Sequence, residues 1–231
     1  MGLFYLDEYY IILVIPAIII SLIAQWKVKS SYNKFSKVGN IRGLTGADAA
    51  RRVLEYYGIY DVRIEKISGK LSDHYDPKAK VIRLSSGVFD GFSIASVGIA
   101  CHEAGHAAQH AQEYTPIKVR NAIIPVTRIG STGGIILAVL GYILGFEPLI
   151  SFGLLLYFFI VVFQLVTLPV EFNASSRALK VINETNMLTA DELPQAKKML
   201  SAAAMTYVAA LIVSIAQFLR LFLRLSGKSR R

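Results

Sequence analysis

Residues 9–26 of the chain, YYIILVIPAIIISLIAQW, form an eighteen-residue stretch without a charged side chain. An α-helix of about this length is what crosses the hydrocarbon core of a bilayer. Three further apolar stretches follow, at residues 129–146, 149–168 and 199–219. Of the 231 residues, 54% are hydrophobic and 18% are charged, whereas soluble proteins have roughly 25% charged residues. The sequence therefore predicts an integral membrane protein.

The flanks of the first stretch indicate a retained membrane anchor, residues 1–26, and not a secretory signal peptide. A signal peptide begins with a basic region and ends at small residues, where it is cleaved. Here the acidic residues Asp7 and Glu8 precede the stretch, and Trp26 and Lys27 end it. We therefore expect the first helix to remain in the membrane.

Basic residues lie beside the ends of the apolar stretches. Lys27 and Lys29 follow the first stretch, and Arg120 and Arg128 precede the second. Because cytoplasmic flanks of membrane helices are enriched in Lys and Arg, we expect residues 27–128 to be cytoplasmic. The turn between the second and third stretches should then lie outside. This placement explains the net charge of +9 by basic residues that flank membrane helices. It therefore argues against a nucleic-acid partner.

The last apolar stretch, residues 199–219, differs from the others in the basic residues that follow it. Five basic residues follow it and would lie outside if it crossed the membrane: Arg220, Arg224, Lys228, Arg230 and Arg231. That arrangement opposes the positive-inside rule. We therefore favour three spans and a C-terminal membrane-associated helix, with a fourth span as the alternative.

The cytoplasmic segment has the patterns of a small α+β domain. Residues 45–58 begin with a Thr45/Asp48 capping pair and end at Gly58, which predicts a helix. Alternating residues 61–67 and the sequence around the Asp76–Pro77 turn predict strands of a short antiparallel sheet, the last strand being residues 80–84. Residues 93–111, rich in alanine and isoleucine, predict a second helix.

That second helix carries the sequence ACHEAGHAAQH, residues 100–110. His102, Glu103 and His106 match the pattern H-E-x-x-H, in which two histidines on one helix face can bind a single zinc ion. Glu103 projects about 100° away from His102, so we expect its carboxylate to act on a zinc-activated water as general base and not as a ligand. Gly105 leaves room for a substrate or another element to approach.

Two neighbouring residues are not expected to bind the metal. His110 lies one further turn along the helix and lacks the glycine-broken spacing of a third histidine ligand. Cys101 projects away from the face that carries His102 and His106. As the single cysteine of the chain, it excludes an internal disulfide and suits a reducing compartment.

Taken with the flanking segments LSDHYDPKAKVIRLS, LPVEFNASSRAL and AAAMTYVAAL, the motif resembles the bacterial membrane neutral zinc metallopeptidases of the YugP type. More distantly, the chain resembles HtpX-like and CAAX prenyl proteases, which are gluzincins. The resemblance covers nearly the whole chain. It implies a zincin-like domain, a Zn²⁺ cofactor, proteolysis of membrane or membrane-near proteins, and a place in the bacterial plasma membrane.

The resemblance also implies that Glu171, in the segment EFNAS, is the third zinc ligand. We expect Glu171, shortly after Pro169, to lie in the first turn of a helix, where the helix dipole favours a carboxylate. Ser175 stands where the distant relatives have an aspartate. The aspartate that would orient a ligand histidine is therefore missing at this position. Asn173 is a candidate to take over part of that role.

The predicted organisation is a transmembrane anchor (1–26), a cytoplasmic catalytic region (27–128), a transmembrane hairpin (129–168) and a C-terminal region with the third ligand (169–231). The leading hypothesis is a multi-pass zinc endopeptidase whose partners are polypeptide substrates and the lipid bilayer, with any oligomeric or regulatory partner undetermined. One alternative is a site-2-type intramembrane protease. Another is a catalytically silent scaffold with a vestigial metal site. The strand at residues 80–84 is considered either as an edge that holds the substrate or as a strand that closes the sheet.

Overall fold

A computed structural model describes residues 7–226 of the chain. The start of the predicted anchor, residues 1–6, lies outside the described residues, and so do the basic residues Lys228, Arg230 and Arg231. The chain divides into two compact units. We call residues 1–25, 118–168 and 206–231 the helical unit, and residues 26–117 and 169–205 the mixed unit.

The elements follow one another as eight helices and three strands among the described residues. The helices are α1 (Ile15–Phe35), α2 (Gly46–Tyr56), α3 (Ser86–Phe89), α4 (Ile94–Ala111), α5 (Thr115–Ile129), α6 (Ile135–Leu144), α7 (Glu147–Glu184) and α8 (Leu193–Ser226). Short π-helical segments precede α1 and join α5 to α6. The strands are β1 (Arg63–Ile67), β2 (His74–Asp76) and β3 (Val81–Ser85).

Four helical segments are long and apolar enough to cross a membrane, judged by length and composition among the described residues. They are Tyr10–Phe35, Thr115–Leu144, Glu147–Glu184 and Leu193–Arg224. The helix α4, which carries the H-E-x-x-H residues, is not one of them. The predicted membrane character of the chain therefore has a structural basis, while the metal motif lies on a separate helix.

The two helices predicted in the mixed unit form where their sequence signals place them. Thr45 caps α2, because its hydroxyl accepts a hydrogen bond from the Asp48 amide at 3.1 Å and the Asp48 carboxylate returns one to the Thr45 amide. This reciprocal arrangement satisfies two amides that the helix leaves without partners. Ser93 caps α4 in a similar way by accepting from the Ser96 amide. Both predicted helix starts are confirmed.

The sheet differs from the prediction, because it is mixed and not antiparallel. Its order is β1-β3-β2, with β3 antiparallel to β2 and parallel to β1. Val81, Ile82 and Leu84 of β3 are fully buried, and a strand that is apolar on successive residues suits a central position. Since β3 pairs on both sides, the suggestion that residues 80–84 form an edge for substrate is wrong. That role is available only to β1 and β2.

Helix α7 also differs from the prediction. The expected helix start at Pro169 does not exist, because Pro169 lies inside a continuous helix of 38 residues. Its ring removes one amide donor, so the carbonyl four residues earlier loses its helical partner. The apolar residues before Pro169 and the polar residues after it nevertheless share one helix. Glu171 therefore lies in a helix interior, and the dipole of a first turn does not act on it.

In the helical unit, the start of the chain contacts the end of α8. The Asp7 carboxylate accepts hydrogen bonds from Arg220 at 2.9 and 3.0 Å and pairs with Arg224 at 2.7 Å. The Arg220 guanidinium lies over the Tyr10 ring, 4.7 Å from its centroid. Only 9% of the Asp7 side chain is exposed. Two of the basic residues that opposed a fourth span are thus neutralised within the protein.

We predict that Asp7→Asn destabilises the helical unit. The variant keeps an acceptor for the Tyr10 amide but removes the charge that balances two partly buried guanidinium groups, and breaking a buried ion pair costs roughly 3 kcal/mol. Thermal unfolding in detergent should show a lower melting temperature. Glu8→Gln is the matched control, because Glu8 is an exposed neighbouring acid and its loss should leave the melting temperature unchanged. Equal melting temperatures for both variants would contradict the prediction.

Candidate metal centre

Three side chains of the mixed unit converge on one point. The imidazoles of His102 and His106 lie one turn apart on α4, with ring centroids 4.7 Å apart. Glu171, on α7, is 95% buried as a side chain and directs its Oε2 at both rings. This oxygen lies 3.3 Å from His102 Nε2 and 3.6 Å from His106 Nε2. The structure therefore brings together the three residues that the sequence analysis named as metal ligands.

The convergence requires a close approach of α4 to α7, which Gly105 permits. A Cβ atom at position 105 would lie 2.7 Å from the backbone oxygen of Ala174, well inside the contact distance of carbon and oxygen. Gly105 is one residue before His106, and Ala174 is three residues after Glu171. The expected approach of another element to Gly105 is therefore confirmed, and that element is the helix that carries the third carboxylate.

The spacing of the three atoms fits a zinc ion. In a tetrahedral site with zinc–ligand distances of about 2.0–2.1 Å, neighbouring ligand atoms lie about 3.4 Å apart. The two measured separations, 3.3 and 3.6 Å, bracket this value. Among the described residues these three form a group whose ligand atoms all lie within 4.8 Å of one another. Two imidazoles and one carboxylate are also a donor set that zinc uses in catalytic sites.

The protonation of His106 is set by a buried amide. Gln109 donates from Nε2 to the backbone oxygen of Val170 at 2.7 Å, so its Oε1 is the atom that faces His106 Nδ1, at 3.0 Å. A carbonyl oxygen can only accept, and His106 Nδ1 must therefore carry the proton. The lone pair of His106 is then on Nε2, which faces the centre and is available to a metal.

His102 has a different support. Its Nδ1 lies 3.1 Å from the hydroxyl of Ser175, the residue that stands in place of the relatives' aspartate. A hydroxyl can donate or accept, so Ser175 orients the ring without fixing its tautomer. The orienting partner of His102 is thus Ser175 itself. Asn173, which the sequence analysis offered as a substitute, contacts Gln109 instead, with its Oδ1 3.0 Å from Gln109 Nε2.

The electrostatics of the centre favour a positive charge. Burial is the largest influence on His106 and lowers its pKa, but the carboxylates of Glu171 and Glu103 outweigh it and leave the pKa above the usual value. Stabilisation of the charged imidazole in a buried place means that the surrounding carboxylates stabilise a cation there. Glu103 contributes to this field but is not in the group of three converging ligand atoms, as expected for a residue beside the ligands.

Neither excluded residue joins the centre. Cys101 is fully buried against Met187, with the two sulfur atoms 3.9 Å apart, and burial raises the pKa of its thiol well above the usual range. A protonated, buried thiol is a poor metal ligand. The His110 ring lies 5.6 Å from the Tyr75 ring, outside the group of converging ligand atoms. Among the described residues, neither side chain is part of the group of converging ligand atoms.

The sequence analysis missed the role of Gln109. The sequence signal was a glutamine three residues after His106, which places both side chains on one face of the helix, and the structure shows that the glutamine is fully buried. Amides buried without partners are costly, so a buried glutamine beside a ligand histidine predicts a hydrogen bond to it. The backbone oxygen that completes the arrangement, on Val170, could not be identified from sequence.

Comparisons with known proteins agree with this geometry. Residues 10–226 match the model of a family described as "Putative neutral zinc metallopeptidase". A protein of Bacillus subtilis (strain 168) named "Putative membrane protease YugP" is 46% identical over 211 residues, which cover 91% of this chain and 94% of the relative. No solved structure matches the chain.

We predict that Gly105→Ala weakens zinc binding. The added methyl group would meet the backbone of Ala174, so α7 must move away and Glu171 with it. Loss of ligand support of this kind typically costs about tenfold to a hundredfold in metal affinity, which competition with a chromogenic chelator would measure.

Gly98→Ala is the matched control on the same helix. Its added methyl group would lie 2.9 Å from Met199 Cε, the flexible end of a side chain, which can turn aside. We expect this variant to bind zinc as the unaltered protein does. A Gly105→Ala protein with unchanged zinc affinity would show that the close helix approach is not needed for the site.

Proposed function

The chain belongs to the neutral zinc metallopeptidase family, and on this basis we propose that it is a zinc-dependent endopeptidase acting on membrane-embedded or membrane-near proteins. The observation that carries the proposal is the convergence of His102 Nε2, His106 Nε2 and Glu171 Oε2 on one point, with Glu103 adjacent on the same helix. Three protein ligands leave one position of a tetrahedral ion open, which is typical of catalytic and not of structural zinc sites.

The proposed roles follow from the contacts of each side chain. His102, His106 and Glu171 hold the ion, and the Ser175 and Gln109 contacts keep the two Nε2 atoms directed at it. When bound, zinc supplies Lewis acidity, which lowers the pKa of a coordinated water to about 7 and polarises the scissile carbonyl. Glu103 accepts the proton of the attacking water and passes it to the leaving amine nitrogen.

A groove in the mixed unit is the candidate binding site for a polypeptide substrate. It has a volume of about 770 Å³ and lies between the second half of α7 and the first half of α8. Ser175 lines the groove and also contacts Nδ1 of His102, so the groove reaches the hydrogen-bond partner of one ligand histidine. Its lining is mainly apolar, and Lys180 and Lys197 contribute the positive charges. An extended segment with apolar side chains and an acidic residue matches this lining.

The alternatives from the sequence analysis receive less support. A site-2-type intramembrane protease needs its metal motif inside a membrane-spanning helix, but α4 is not a candidate span. A silent scaffold does not need a buried carboxylate directed at two imidazoles, and such a group costs stability without a cation to balance it. The endopeptidase proposal accounts for both observations.

We further propose that the mixed unit faces the cytoplasm and that all four candidate helices span the bacterial plasma membrane. Lys and Arg residues near the ends of the first two spans support this orientation. The objection to a fourth span was the row of basic residues after it, and Asp7 binds two of these, Arg220 and Arg224. In addition, Ala216 of α8 packs against Val14 and Ala17 at the start of the first span.

The catalytic proposal predicts different losses for Glu103→Gln and Glu171→Ala. Glu103→Gln should keep bound zinc and lose about 10²- to 10⁴-fold in peptidase activity, because only the general base is removed. Glu171→Ala should lose both zinc and activity. Metal analysis of the purified proteins and casein cleavage in detergent, with and without a chelator, measure the two properties. His110→Ala is the control and should retain both. Casein cleavage by Glu103→Gln at the wild-type rate would contradict the proposed mechanism.

The orientation proposal predicts the sides reported by fused topology reporters. A reporter at residue 40 should be cytoplasmic, and reporters at residue 147 and after residue 226 should both lie outside, since four spans return the chain to its starting side. A reporter after residue 226 on the cytoplasmic side would restore the three-span arrangement. Reporters at residues 40 and 147 on the same side would overturn the orientation as a whole.

A further inference from the structure

We propose that Arg177 is a positioning residue of the metal centre, which acts through Asn173 to hold the Gln109 amide against His106. This inference rests on the proposed zinc site. It concerns a hydrogen-bonded series that begins about two turns of α7 beyond Glu171 and ends at the imidazole. We call this series, Arg177–Asn173–Gln109–His106, the amide relay.

Each link of the amide relay is a direct hydrogen bond. Arg177 Nε donates to Asn173 Oδ1 at 2.7 Å. The same oxygen accepts from Gln109 Nε2 at 3.0 Å. Gln109 Oε1 then accepts from His106 Nδ1 at 3.0 Å. Gln109 is fully buried, so water does not replace these partners.

Arg177 and the Val170 backbone oxygen both impose the direction of the relay, because Gln109 Nε2 also donates to that oxygen. A guanidinium group has only donors and stays protonated in proteins, so the Asn173 atom that faces it must be the oxygen. Because this same oxygen faces Gln109, the Gln109 group beside it must be the NH₂. The Gln109 oxygen is then left for His106, whose Nδ1 carries the proton and whose Nε2 carries the lone pair. Arg177 thereby supports, from three hydrogen bonds away, the same tautomer that the Val170 oxygen favours.

Without Arg177 the orientation of Asn173 would no longer be fixed. An asparagine amide has an acceptor and two donors of nearly equal size, and rotation by 180° would turn its NH₂ towards the Gln109 NH₂. That contact is repulsive, and Gln109 has one other acceptor for its NH₂, the Val170 oxygen at 2.7 Å. The amide of Gln109 would then be held by one hydrogen bond and not two.

The guanidinium group is itself held in place from three directions. Its Nη1 donates to Gln112 Oε1 at 2.5 Å. The Tyr57 and Tyr114 rings lie beside it, with centroids 5.6 and 5.9 Å from Cζ. These contacts come from the residues after α2 and after α4, so Arg177 is anchored to the frame of the mixed unit. Its described contacts are with Asn173 of the relay and with these anchoring side chains.

The other ligand histidine has no such relay, which provides an internal comparison. His102 contacts the Ser175 hydroxyl, which can reverse its donor and acceptor roles at little cost. We therefore expect the loss of Arg177 to act through one of the two imidazoles, and Ser175→Ala to act through the other.

The test uses the full-length protein in detergent and measures metal binding in addition to peptidase activity. Arg177→Met should weaken zinc binding by about tenfold to a hundredfold, the usual effect of losing an outer hydrogen-bond partner of a ligand. The visible spectrum of the Co²⁺-substituted variant should also change, because it reports the ligand geometry. Arg52→Met, which removes an exposed cation from α2 in the same unit, is the matched control and should leave both unchanged.

A second substitution separates polarity from packing. An aspartate at position 173 can only accept, so it presents an oxygen to Gln109 whether or not Arg177 is present. We therefore expect Arg177→Met combined with Asn173→Asp to recover most of the zinc affinity and the original Co²⁺ spectrum. If Arg177→Met does not yield folded protein, Arg177→Gln, whose amide can turn either way, takes its place with the same expectations.

Wild-type zinc affinity in Arg177→Met, or no recovery in the double variant, would overturn the amide relay. The relay and the zinc site can fail separately. A wild-type protein that binds no zinc, or a Glu171→Ala protein that keeps it, contradicts the proposed function. A wild-type protein that binds zinc through Glu171 but is insensitive to Arg177 contradicts the relay alone.

Discussion

The contact between the Gly105 backbone and Ala174 is the constraint on which the metal centre depends. Two helices can approach so closely only where one of them lacks a side chain, and here that position is one residue before a ligand histidine. The approach places a carboxylate of α7 within hydrogen-bond range of an imidazole of α4, although 69 residues separate Glu171 from His102 in sequence. The fully buried Gln109 amide also joins the two helices, since it donates to the Val170 oxygen of α7. A single absent methyl group thus permits the short distances between the ligand atoms.

Features governed by local rules could be predicted from the sequence, and features governed by packing could not. The Thr45 cap, the helix of the H-E-x-x-H residues and the placement of Cys101 follow from spacing along one element. The central position of β3 depends on which strand is most buried once the helices have packed. The pattern of polar and apolar residues along the strand does not reveal this order. The continuation of α7 through Pro169 is a similar case. Proline removes one hydrogen bond, but a long apolar helix on one side and a packed face on the other outweigh that loss.

The centre supports its two histidines in different ways, and this difference was only half visible in the sequence. Replacement of an acid by Ser175 indicated weakened support for a ligand, yet the structure shows a neutral contact that still orients the ring. The stronger constraint is on His106, where a fully buried glutamine fixes the proton. Burial of an amide is tolerated only when all of its groups are paired, so the packing of α4 on α7 and the chemistry of the site are not independent. A substitution outside the ligand set can therefore affect a ligand histidine by changing which neighbouring atoms donate and which accept hydrogen bonds.

The ion pair between Asp7 and α8 has a consequence for how the chain is made. Its partners are 213 positions apart, so the acid is synthesised well before either arginine. Throughout that interval the Asp7 carboxylate lacks both guanidinium groups, and a charge without a partner is much less costly in water than in a buried place. Only arrival of the last helix allows the carboxylate to be withdrawn from water. The completed bundle is therefore chemically distinguishable from every truncated form that stops before Arg220, since in those forms the acid stays exposed.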